Sequence, residues 1–303
     1  VAASIVRYPL DVTFFSTAER LSLGGLPFVL AAPKPGRRDA LAYYREVVRY
    51  FGLDVRQYEE VENIHGHEGA FVVHTCRRSG LRGMVGARWV VVATGYWGDP
   101  NRLGVPGEDL PHVSHRFVEG HLSFQQPVVV VGGGNSAAEA ALELWRAGAG
   151  VTLVHFGSDF DRKIKPWLRP DLENRIAEGK IAVRWNSRLR AIEPEWVVVA
   201  RGDGSDERLR AEHVFLLTGY APDVTLLVRA GVTIDPASGV PAHDPATLET
   251  DVPGIFIAGV LAAGYDANRI FIENGRFHGD RIAARLAGRL PPELPPLSRD
   301  LDG

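Results

Sequence analysis

The sequence predicts an α/β protein made of two doubly wound units, one set into the other, and three observations carry that expectation. The run Val128–Val131 leads through three glycines into an alanine-rich stretch with helical periodicity, the order strand, tight loop, helix. Two apolar runs end alike, in Val91-Val92-Ala93-Thr94-Gly95-Tyr96 and Phe215-Leu216-Leu217-Thr218-Gly219-Tyr220, as related units would. Turn-rich sequence follows each, Tyr96–Pro111 after the first and Pro222-Asp223 after the second. These breaks mark two crossovers and divide the chain into residues 1–98, 99–222 and 223–303.

The elements follow in order. Ala40, Leu41, Tyr44, Val47, Val48 and Phe51 recur at helical spacing and predict a helix over Arg37–Phe51, entered past Pro33 and Pro35. Strands are expected at Asp54–Tyr58, Ala70–Cys76 and Arg88–Ala93. The central βαβ unit comprises the strand Val128–Val131, the helix Ser136–Ala149 and the strand Val151–His155. A helix over Pro170–Glu178, a strand Ile181–Trp185 and a β segment His213–Thr218 complete that unit. The tail adds a strand Gly254–Ala258, a helix Glu273–Leu290 and a frayed end, Pro291–Gly303.

Composition narrows the function. A chain of 303 residues with 45% hydrophobic and 23% charged residues suits two medium globular domains. A formal net charge of -3 and a pI near 6.4 supply no basic field for nucleic acid or an anionic membrane surface, so small molecules are the expected partners. Apolar runs such as Trp89–Ala93 fall far short of the roughly 20 residues of a spanning helix. One cysteine, Cys76, excludes an intrachain disulfide and suits a reducing cytoplasm. It sits in the alternating run Phe71–Cys76, where a packed strand cysteine is the expectation. The ten histidines show no zinc spacing, no metal is expected, and no Gly-x-Ser-x-Gly lies between strand and helix.

The glycine loop carries the chemistry. Gly132-Gly133-Gly134-Asn135-Ser136-Ala137 fits G-x-G-x-x-A: Gly132 for the turn, Gly134 for backbone approach to a pyrophosphate, Ala137 for close packing of helix on strand. The amino end of the helix then faces the phosphates. The acidic residue that holds the ribose hydroxyls of NADH is absent at the end of the next strand, which reads His155-Phe156. Arg162, Lys163 and Lys165 follow; they suit a 2′-phosphate and favour NADPH, the plain alternative being a solvated basic loop. Thr94-Gly95 ends a strand where backbone can pass close to a dinucleotide. Gly259, Asn268, Asn274 and Gly275 suit the pyrophosphate and flavin edge of FAD. Thr13, Phe14 and Ser16 combine aromatic faces with hydroxyls that suit an isoalloxazine, or equally an ordinary packed loop.

These pieces resemble the YpdA-type bacillithiol-disulfide reductases of the thioredoxin-reductase-like flavoproteins. The resemblance lies in Tyr8-Pro9 with Thr13–Thr17 and Gly24-Gly25, in Val128–Ala140, in Trp167–Asp171 with Glu173–Ile176, and in Ile257–Gly259 through Ile270-Phe271 to Gly279. It implies two dinucleotide-binding, Rossmann-like domains, the nicotinamide domain inserted into a discontinuous FAD domain. It further implies a homo-oligomer that passes electrons from NADPH through FAD to a low-molecular-weight disulfide. The family's first strand, its FAD phosphate loop and the cysteine proposed as catalytic in that loop are not in this sequence. About 40 residues are therefore expected upstream, and no catalytic residue is assigned. Thioredoxin reductase carries C-x-x-C where this chain reads His112-Val113-Ser114-His115-Arg116-Phe117, so dithiol exchange by that route is excluded. A flavin monooxygenase and a non-catalytic NADPH-binding module are the alternative readings.

Overall fold

In a computed structural model of the chain, residues 1–162 and 164–292 are described; Lys163 and the part of the expected frayed end from 293 onward lie outside them. A five-stranded parallel sheet holds the centre, its strands in the spatial order Val113–Ser114, His213–Leu216, Pro127–Val131, Gly150–Val154 and Ile181–Arg184. Alternation along the valine strand builds two cores. Val128 and Val130 pack against Ala137, Ala141 and Leu144 of the helix Asn135–Arg146, with Leu153 and Leu172. Val129 and Val131 face the opposite side, where Leu189, Val197 and Val199 of an antiparallel meander, Arg188–Ile192, Trp196–Ala200 and Asp206–Arg210, close over the sheet. A strand buried on both faces has to read as a continuous apolar run, and this one does.

The chain around that sheet forms a second unit. Val90–Val92 pairs in parallel with Ile255–Ile257, so everything between them loops out of one sheet and returns. An antiparallel meander, Glu59–His65, Phe71–Arg77 and Arg82–Ala87, packs on this pair through Ile64, Phe71, Val92, Ile255 and Ile257. The helix Arg37–Tyr50 buries Ala40, Tyr43, Tyr44 and Val47 against Ile5, Phe14, Leu21 and Phe28. The two crossing segments lie side by side, Tyr220–Ala221 pairing antiparallel with Asp99–Pro100. Gly98 packs there so tightly that a Cβ on it would fall 2.7 Å from the Asp223 amide nitrogen.

Several elements differ from the sequence expectation. Asp54–Tyr58 is not a strand: Tyr58 adopts φ +58°, outside extended geometry, and the strand starts at Glu59. The central helix ends at Arg146 rather than Ala149, because Gly148 turns left-handed at φ +85°. The expected helix Glu273–Leu290 is two helices, Ile272–Gly275 and His278–Leu286. At the break Gly275 crosses Gly259, and the Arg276 guanidinium donates to the carbonyls of Glu19 and Ser22; Gly288, at φ +65°, ends the second helix early.

Gly107 anchors the first crossing segment at φ +82°, where a Cβ would lie 1.9 Å from the Ile192 carbonyl oxygen. Gly107→Ala is expected to lower unfolding stability by about 2–4 kcal/mol, read by urea denaturation, because both the backbone angle and the contact are violated.

Candidate functional site

The glycine loop is built as the motif requires. Gly132 stands at φ +147°, and a Cβ there would fall 2.5 Å from the Leu217 carbonyl oxygen. Ala137, fully buried, supplies the close helix-to-strand contact, since its methyl lies 3.1 Å from where that Cβ would be. Gly134 is the N-cap of Asn135–Arg146 and no side chain caps the helix. The first helical hydrogen bond runs from the Ala138 amide to the Gly134 carbonyl, so the amides of Asn135, Ser136 and Ala137 present the positive end of the helix dipole. Ser136 is exposed beside them.

His155 lies beneath this loop. A Cβ on Gly133 would fall 2.2 Å from its Cε1, so only glycine lets the loop cross the ring. The imidazole is buried against Phe156 and Trp185, and among the described residues nothing bonds its Nδ1. Asp161 donates its amide to the Gly133 carbonyl, while its carboxylate sits over Gly134, 3.1 Å from a Cβ placed there. Arg162 is exposed on the adjoining turn, and the Arg188 guanidinium lies 4.9 Å from the Phe156 ring centroid. Arg188 was not legible as a site residue, because it reaches this corner from the distant meander.

Lys165 goes elsewhere than its sequence neighbours suggested. Its side chain is buried, paired with Glu139 of the central helix and donating to the Thr13 carbonyl at 3.1 Å. Its amide donates to Asn135 Oδ1 at 2.7 Å. The side chain of Asn135 is thus occupied in holding the 161–168 segment, and one lysine joins the glycine loop to the segment around Thr13.

That segment meets the tail. The Ser16 hydroxyl donates to Glu273 at 2.7 Å, and the rings of Phe15 and Phe271 lie nearly parallel, 11° apart with centroids at 6.5 Å. Phe14, selected from sequence, points the other way into the helix core; its neighbour Phe15 supplies the face at the junction. Thr13 is exposed. Phe271 donates its amide to Asn274 Oδ1 and keeps an exposed ring, while Ile270 packs on Gly275. Asn268, also exposed, donates its backbone amide to the Asp266 carboxylate, which caps a short turn. Gly259, at φ +71° with open space where a Cβ would be, donates its amide to His278 Nδ1 at 3.1 Å. The Val92 carbonyl accepts the Ala258 amide, which sets exposed Thr94 and left-handed Gly95 just beyond the same strand pair. Cys76 stays in the outer meander, its thiol 3.6 Å from the Arg77 carbonyl. Among the described residues no cluster of histidine, cysteine and carboxylate side chains could hold a metal, and no helix is long and apolar enough to cross a membrane.

Comparison with known proteins agrees with this geometry. Residues 1–259 match the pyridine nucleotide-disulphide oxidoreductase family. The chain belongs to that family. It is 43% identical over 290 residues to the bacilliredoxin reductase Bdr of Bacillus subtilis (strain 168), covering 95% of this chain and 88% of that protein. The solved bacillithiol disulfide reductase Bdr (YpdA) from Bacillus cereus superimposes with a TM-score of 0.92 at 43% identity, over 95% of this chain and 89% of the other. Its counterpart from Staphylococcus aureus gives 0.89 at 40% identity, over 95% and 88%. The resemblance read from the sequence holds, as does the two-unit Rossmann-like architecture.

Two outcomes follow from this geometry. Gly134→Val is expected to weaken NADPH binding at least about tenfold, because the branched side chain takes the space of the pyrophosphate and presses on Asp161. Fluorescence titration with NADPH reads it, and an unchanged Kd would remove the loop from the site. Burial holds both His155 and His278 below the ordinary histidine pKa, against Asp161 and Asp159 in the first case and with Arg281 and His243 in the second. With folded pKa values depressed, this stability is present above about pH 6.5 and is lost as pH falls through the folded values, since the unfolded chain takes up protons first. Tm is expected to drop from about pH 7 to about pH 5. His278→Gln, which keeps an acceptor for the Gly259 amide and cannot be charged, is expected to flatten that slope in scanning calorimetry.

Proposed function

We propose that this protein is an NADPH-dependent FAD oxidoreductase that reduces a low-molecular-weight disulfide such as bacillithiol disulfide. The observation that carries the reading is the junction at Lys165, where the glycine loop stands beside the Thr13–Ser16 segment, whose half-buried Phe15 faces the exposed ring of Phe271. Over the cycle one NADPH and one proton convert one disulfide into two thiols. FAD, when bound, supplies the two-electron step between nicotinamide and sulfur.

The residues present fit both groups. On the nicotinamide side the fit rests on Gly133, which a Cβ would fill against His155, and on the orphaned, buried His155 Nδ1. Gly132, Gly134, Asn135, Ser136 and Ala137 form the pyrophosphate cradle, and His155 shapes its floor. Arg162, Arg188 and Lys163 provide the charge for a 2′-phosphate, where an acidic residue would have preferred NADH. On the flavin side the fit rests on the open backbone at Gly259 and the exposed face of Phe271. Thr13, Ser16, Thr94, Gly95, Asn268 and Ile270 border the same region, with Phe15 in place of Phe14. The domain borders lie at 98/99 and 222/223, beside the paired crossing strands. The same reading takes the protein to be cytoplasmic and homo-oligomeric. The monooxygenase reading is weaker, because two solved relatives at 43% and 40% identity carry disulfide-reductase names, whereas the matching monooxygenase structures are 21% identical.

The test is the visible spectrum of the protein expressed from its full reading frame, before and after anaerobic NADPH. Flavin bands bleached by NADPH and restored by a low-molecular-weight disulfide are the expected result. A colourless protein that still binds NADPH would leave the non-catalytic module. Arg162→Ala with Arg188→Ala is expected to raise KM for NADPH about tenfold while leaving that for NADH within about twofold, which stopped-flow bleaching can measure.

A further inference from the structure

Trp167 stands 42% exposed at the junction, and one cation leans on it. The Lys34 Nζ lies 3.6 Å from the indole centroid and 5.3 Å from that of Phe15, whose own centroid is 5.4 Å from the indole. Lys165 Nζ approaches the same indole at 5.8 Å. The two ammoniums differ in one respect. Lys165 is neutralised by Glu139, whereas among the described residues Lys34 has no carboxylate partner. Partial burial and the charge of Lys165 hold the Lys34 pKa below the ordinary lysine value, and the negative charge of an arriving anion would offset that cost by attraction.

The backbone that follows Lys34 is anchored. The Pro35 carbonyl accepts the Phe14 amide at 2.9 Å, Arg37 donates its amide to the Val12 carbonyl, and Thr13 bridges Gly36. A fixed ammonium over two aromatic faces, beside the flavin-side segment, is a preorganised anion anchor that spends little entropy on binding. Trp167 also borders a cavity of about 190 Å³ whose carboxylates include Asp11 and Glu119. Those carboxylates disfavour an anion inside that cavity.

We propose that Lys34, held over Trp167 and Phe15, anchors a carboxylate of the disulfide substrate, so that the enzyme selects acidic low-molecular-weight disulfides over neutral ones. The proposal rests on the disulfide-reductase reading above and adds the substrate's charge class. A phosphate of NADPH offers the same anionic chemistry, and the test separates the two sources.

The experiment uses the full-length flavoprotein and two synthetic disulfides, the dicarboxylate 3,3′-dithiodipropionate and neutral 2-hydroxyethyl disulfide. The wild type is expected to favour the dicarboxylate in kcat/KM. Lys34→Gln is expected to cut that preference at least about tenfold, and Lys34→Arg to restore part of it. Octanedioate, a redox-inert chain of the same length, is expected to quench tryptophan fluorescence in the wild type but not in Lys34→Gln, with the quench absent in Trp167→Phe. An equal loss on both disulfides, or octanedioate binding unaltered by Lys34→Gln, would overturn the proposal. A rise in KM for NADPH that matches the loss on the dicarboxylate would overturn it too, by assigning Lys34 to the nucleotide. Failure of NADPH to bleach the flavin is a separate result, which would sink the reductase reading while the octanedioate titration still reports on the anchor.

Discussion

One buried ammonium joins the two units at the candidate site. Lys165 answers the Glu139 carboxylate on the helix Asn135–Arg146 and the Thr13 carbonyl, while its own amide holds Asn135 at the start of that helix. A buried charge pair gains little net stability over an apolar contact, yet breaking it leaves an uncompensated charge and costs several-fold more. Such a pair therefore specifies geometry: the glycine loop and the Thr13–Ser16 segment meet in the register that satisfies the lysine, and other registers strand it.

The crossing segments supply the second constraint. Buried Glu108 accepts the amides of Leu103 and Gly104 at 2.9 and 2.7 Å, so a turn rich in glycine and proline is held by a side chain in place of regular structure. Rings of Tyr8, Trp97 and Tyr220 follow one another at 5.1 and 4.7 Å across the joint, and the Tyr220 hydroxyl donates to the His115 carbonyl. Both passages of the chain are thereby tied to the first residues of the flavin-side unit, the same residues that lead to Thr13. The site is shared between parts of the chain that are far apart in sequence, and it is held at two points: at Lys165 and at the paired crossing strands.

Some element ends were misplaced by local backbone turns, at Tyr58, Gly148 and Gly288; around the candidate site, contacts between distant parts were responsible. Phe14 and Phe15 are equivalent on paper; the Phe14 amide bonded to the Pro35 carbonyl turns one ring into the helix core and the other toward Phe271. Lys165 reads as one more cation in a basic loop until Glu139 and Thr13 are in place around it. The sequence expectation is one helix from Glu273 to Leu290. It breaks where Gly275 crosses Gly259 and the carbonyls of Glu19 and Ser22 capture Arg276, an interaction spanning more than 250 residues.

The sequence by itself determined the βαβ unit around Val128–Val131, the tight glycine turn of Gly132–Ala137 into the helix, the two crossing segments and the absence of an acid at His155. Each is a local matter of periodicity, backbone freedom or residue type at fixed spacing. Tertiary structure alone decided that His155 underlies Gly133, that Asp161 covers Gly134, that Arg188 reaches Phe156 from the meander and that Lys34 rests on Trp167. His155 and Asp161 meet the glycine loop within the neighbourhood of the βαβ unit, whereas Arg188 meets Phe156 and Lys34 meets Trp167 across segments whose separation along the chain carries no signal of proximity, so that packing alone brings those together.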